Sequence, residues 1–172
     1  MVSLKNFSIP VRGLKSGVHE YDFQLKEQFF AAFPDSFISE GDVTVEVDFD
    51  KRPDMFVLDI NIEGVIKTDC DRCLANIDLP IDGNYQLIIK LSEKNAKDTE
   101  VVYLPVETTE INIAKYIYDF VCLSVPMIKV YDCQQEKPLP CDQAVINRLN
   151  AKDQEEKTSN PIWDDLNRLT EN

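Results

Sequence analysis

The chain has 172 residues, 44% of them hydrophobic and 9% aromatic, which is enough for one ordinary domain with a sizeable core and no need of covalent staples. Its 31 acidic and 18 basic side chains give a formal net charge of −13, a field that disfavours non-specific binding to a nucleic acid backbone and favours a basic protein partner. No run approaches the roughly 20 apolar residues that cross a bilayer, the opening MVSLKNFSIPVRGLKSG lacks a secretion signal's apolar segment, and five cysteines argue against a disulfide framework, so we expect a cytoplasmic protein with free thiols or thiolates.

Leu4 to Ile9 and then Tyr21 to Leu25 alternate apolar and polar residues, the period of a half-buried strand. Glu27 to Phe33 is too apolar for a loop and is stopped by Pro34, which predicts a short helix. Val43, Val45, Val47 and Phe49 then fall on one face of the clearest strand in the chain. After the turn residues Asp50 to Asp54, the β-branched stretch Met55 to Lys67 predicts its antiparallel partner. Ile77, Leu79 and Ile81 alternate before a further strand, Tyr85 to Leu91. Ser92 to Glu100 is a solvated loop, and Val101 to Leu104 a short strand.

Asn112 can cap a helix whose apolar positions Ile113, Tyr116, Ile117, Phe120 and Val121 recur every three or four residues, ending ahead of Pro126. The chain is then irregular to Asp142, with a weak helical segment toward Leu149. Asn150 to Asn160 has no apolar residue larger than alanine and reads as a flexible linker; Pro161 to Leu169 reads as a small amphipathic helix. The expected architecture is α+β: a mainly antiparallel sheet with one principal packed helix and short additional helices. Residues 1–149 form one domain, and 150–172 an acidic linker with a short C-terminal helix.

The stretch TDCDRCLAN sets Cys70 and Cys73 where one strand hands over to the next. A C-x-x-C turn brings two sulfurs within reach of one ion. A closed four-sulfur zinc site needs two more ligands, and Cys133 and Cys141 are available in the irregular segment, although their spacing is looser than that of a standard knuckle. The alternative is that these cysteines are small buried hydrophobes with no metal. A redox pair would open a helix, whereas Asn76 to Pro80 alternates like a strand. Cys122, inside the predicted helix, reads as core.

Nothing in the sequence calls for an enzyme. His19 is the sole histidine and completes no triad, and no G-x-S-x-G, P-loop, G-x-G-x-x-G or H-E-x-x-H occurs.

Cys70, Arg72, Cys73 and Leu74, followed by Leu123 to Pro126 and then by Asn160, Pro161 and Leu166 to Leu169, form an ordered set. Over about Val43 to Leu169 the chain resembles the YceD-like family, the large ribosomal RNA subunit accumulation proteins of bacteria and plastids. The resemblance implies a non-enzymatic cytoplasmic factor needed for normal levels of large-subunit ribosomal RNA. It also implies cysteine or histidine after the LSVP segment, as at Cys133 and Cys141. Joined to the charge, it implies a basic ribosomal protein or assembly factor of the large subunit as partner, with Trp163, Leu166 and Leu169 as an apolar docking stripe. The competing expectation is direct RNA contact through a zinc-ribbon-like tip carrying Arg72, against which the overall charge stands.

Overall fold

The computed structural model describes residues 4–34, 36–92, 101–131 and 140–155. Strands β1 (Ser8–Pro10), β2 (Gly17–Leu25), β3 (Glu40–Lys51), β4 (Met55–Asp69), β5 (Asn76–Leu91), β6 (Val101–Leu104) and β7 (Glu110–Asn112) accompany helices α1 (Glu27–Phe30), α2 (Ala114–Ser124) and α3 (Gln143–Glu155). The α+β expectation holds, with a five-stranded sheet in the order β2-β3-β4-β5-β6 and a two-stranded pair β1-β7. By its internal contacts the chain divides into two compact units: Met1–Thr68 with Ile77–Lys129, and Asp69–Asn76 with Val130–Asn172.

In the first unit, alternation dictates the sheet. Val43, Val45, Val47 and Phe49 of β3 are buried while Asp42, Thr44, Glu46 and Asp48 between them are exposed. Their cross-strand partners in β4, including Ile62, Ile60 and Leu58, extend the same apolar face. The two segments read as separate runs, Ile77 to Ile81 and Tyr85 to Leu91, form one continuous strand, β5, because the alternation carries through Asp82 to Asn84. β6 lies parallel to β5 in a sheet that is mostly antiparallel.

Helix α2 buries Ala114, Ile117 and Val121 into the core that the sheet's apolar face lines. The N-cap is Ile113, which offers no side-chain cap, so Asn112 stands one residue earlier than the sequence reading puts it; from there its side-chain oxygen accepts the Ala114 N–H at 3.1 Å. Phe120 stacks on Tyr85 of β5 at 4.7 Å, and Ser124 meets the Tyr85 hydroxyl at 3.1 Å. This close approach needs Gly83, where an added Cβ would lie 2.6 Å from Ser124 Oγ.

Other parts depart from the sequence reading: β2 begins at Gly17 rather than Tyr21, and α1 ends at Phe30 rather than Phe33. Leu4–Phe7 is a single 3-10 turn, and only Ser8–Pro10 is strand, paired with β7 through Ile9↔Ile111. Helix α3 runs to Glu155, past Leu149, because the alanine, lysine, glutamine and glutamate of this stretch are good helix formers.

Candidate functional site

The second unit contains the cysteine turn. Cys70 N–H donates to Ala75 O at 2.8 Å, and Leu74 N–H to Cys70 O at 2.9 Å, closing a tight loop between β4 and β5. Leu74 holds φ +59°, a left-handed conformation unusual for a non-glycine residue, and its side chain is 75% exposed. The loop folds both cysteine side chains inward, so Cys70 and Cys73 are buried, while Arg72 between them is exposed. β5 follows directly, so the turn does not open a helix as a thioredoxin-type pair would.

Burial pushes the Cys70 thiol up, but three backbone N–H groups, from Tyr131, Arg72 and Cys73, point at its sulfur, and Cys73 itself adds a hydrogen bond; together they hold it below the usual thiol range. The sign follows from the depressed folded value: the stabilisation is complete above the unfolded thiol pKa and is lost as pH falls through the folded one. In metal-free protein, thiolate absorbance titrated against pH should therefore show a component below the ordinary cysteine range that disappears in Cys70→Ala. A single component in the ordinary range would contradict it.

Cys70 and Cys73 fit a metal's sulfur donors. Cys141 is buried but disulfide-bonded, a state in which its sulfur offers no thiolate. Cys133, Trp163, Leu166 and Leu169, and with them the predicted C-terminal helix, lie outside the described residues. Among the described residues, no group of three or more His, Cys, Asp or Glu is placed to hold a metal ion. Cys122 is half-buried in α2 and packs against the core, as expected. His19 is half-buried, its ring nitrogen 2.9 Å from Lys15 O.

The first unit contains a surface whose composition was legible but whose geometry was not. The strand registers set Glu20 opposite Asp48 and Asp48 opposite Asp59, and in the next row Asp22 opposite Glu46. All five carboxylates are exposed on the sheet's outer face. Polar neighbours hold two of them, Gln86 Nε2 donating to Asp59 at 2.7 Å and Asn61 Nδ2 to Glu46 at 3.4 Å, and on the same face Gln24 Nε2 donates to Asp42. A shallow depression of about 350 Å³ lies over Glu46, Asp48, Asp59, Asn61, Asn84 and Gln86. Lys67, at one end of the face, is paired with Glu40 at 2.7 Å. Like charges directly opposite one another destabilise a sheet, so this arrangement works against the fold.

Leu123 in the last turn of α2, and Met127 and Ile128 just past the LSVP segment, are well exposed, Met127 almost completely. Among the described residues, no helix is long and apolar enough to cross a membrane. A family model described as "Large ribosomal RNA subunit accumulation protein YceD" matches residues 58–170, more than half of the chain. Neither a curated protein nor a solved structure matches it.

Proposed function

The chain belongs to the YceD family of large ribosomal RNA subunit accumulation proteins, and we propose that it acts in ribosome biogenesis as a non-enzymatic factor that binds a basic ribosomal protein or assembly factor of the large subunit. The observation that carries this reading is the outer sheet face, where Glu20, Asp48 and Asp59, and then Asp22 and Glu46, stand opposite one another. Such rows weaken an isolated sheet and are neutralised when lysine and arginine side chains of a partner settle among them. Complementary charge speeds encounter; the exposed Leu123, Met127 and Ile128 offer apolar area for affinity. Protection of the ribosomal RNA is then indirect, through the protein that is held.

The test is affinity purification of the tagged full chain from cells, with and without nuclease, analysed by mass spectrometry and RNA sequencing. Recovery of basic large-subunit proteins that survives nuclease is the expected result. Recovery of ribosomal RNA alone, cross-linked at Arg72, would overturn it in favour of direct RNA binding.

In the same reading the cysteine turn is a structural knuckle. In the reduced chain Cys70, Cys73, Cys133 and Cys141 would be the four sulfur donors for one structural zinc ion, a reading supported by the inward N–H groups that favour a thiolate at Cys70. Zinc there would restrain the turn and the segment after Val130 without reacting. Elemental analysis of reduced, tag-free protein should find about one zinc per chain; less than about a tenth of an equivalent removes the metal.

A further inference from the structure

Strand β2 is one edge of the five-stranded sheet. Its nine residues pair with β3 in unbroken register from Gly17↔Lys51 to Leu25↔Val43, and among the described residues no backbone hydrogen bond reaches its outer side. Edge strands in natural proteins are usually blunted by proline, lysine, a bulge or shortness. The sequence GVHEYDFQL contains neither proline nor lysine, and the register shows no bulge.

Alongside runs a groove of about 550 Å³ bordered by the aromatic Phe7, Tyr21, Phe23 and Phe29, with Lys26 and Gln28 among its polar margins and Asp22 reaching it from the strand's outer face. Its floor is aromatic and braced: Phe7 stacks on Phe23 at 5.0 Å and packs against Phe29 at 4.9 Å, and Tyr21 meets Phe49 edge-on at 6.4 Å. On the opposite face of the same strand, Glu20 and Asp22 are exposed beside Asp48 and Glu46.

The geometry points to strand addition: an extended segment of the basic partner pairs its backbone with the open edge of β2, placing apolar side chains over the aromatic groove and lysine or arginine, at alternate positions, over the acidic face. The inference rests on the proposed basic partner and specifies how that partner is held. Main-chain hydrogen bonds supply affinity, and the period-two alternation of the guest supplies specificity. A second copy of this chain is the wrong occupant, because edge-to-edge pairing would bring Glu20 and Asp22 against their own copies between molecules of net charge −13.

The probe is a synthetic twelve-residue peptide alternating valine and lysine, with a control of identical sequence N-methylated throughout. With the full chain, the first peptide should slow amide hydrogen exchange in β2 at least tenfold at saturation, and the control should bind at least tenfold more weakly. Asp22→Lys, at an exposed position, should lower affinity for the first peptide about tenfold with the circular dichroism unchanged. Equal binding of the N-methylated control, unchanged exchange in β2, or no binding of either peptide overturns strand addition. In any of those cases, continued binding of basic large-subunit proteins would show that the functional reading survives without it.

Discussion

Replacing Glu46 and Asp48 with lysine should weaken binding of the proposed basic partner about 100-fold, near 2.7 kcal/mol, while making the isolated protein more stable. Both effects come from one register. A lysine at position 48 would face Glu20 on one side and Asp59 on the other, and a lysine at position 46 would face Asp22, so three like-charge oppositions become attractive pairs. Each conversion on an exposed sheet face contributes roughly 0.5 kcal/mol, discounted by solvent and salt. The same substitutions place two cations where the partner's own cations must settle. A surface selected only for solubility would give the stability gain with no loss of binding. Denaturant unfolding and binding titrations on the same preparation separate these outcomes, and only opposite movement of the two quantities agrees with the account.

Phe49→Ala should cost about 4 kcal/mol of folding free energy and lower the melting midpoint by on the order of 10 °C. Phe49 is fully buried near the end of β3; it stacks on Phe56 at 5.2 Å and meets Tyr21 in a T-shaped contact at 6.4 Å. Its removal leaves a cavity that the paired strands on either side cannot close. Thermal and urea unfolding measure the effect directly, and a loss below about 1 kcal/mol would mean that the core is not packed as described. Phe49 directly follows Asp48 in β3, yet the two act on different quantities. Because successive side chains point to opposite faces, one strand supplies stability from its odd positions and the exposed acidic face from its even ones.

That alternation explains what was readable in the sequence. Val43 to Phe49 announces both its strand and its buried face, and Asn112 announces the start of α2, because the signals lie within a few residues of one another. The three-residue strands β1 and β7 are too short to show a period, and each exists only because Ile9 and Ile111, far apart in sequence, meet. The parallel placement of β6 has the same origin. At the candidate site, the cysteine turn and its position between two strands were legible from C-x-x-C and its flanks. The Tyr131 N–H at the Cys70 sulfur was not, since it joins segments some sixty residues apart. The acidic excess could be counted, but its concentration into opposed rows depends on the register between β2, β3 and β4, which composition does not contain.

The most direct measurement is a side-by-side titration of the purified full chain against isolated basic proteins of the large subunit and against fragments of large-subunit ribosomal RNA, across a range of salt. Saturable binding to at least one such protein is expected, weakened by salt and by the Glu46 and Asp48 reversals, with no measurable affinity for the RNA fragments. Tight RNA binding that survives those reversals, with none of the basic proteins bound, would contradict it.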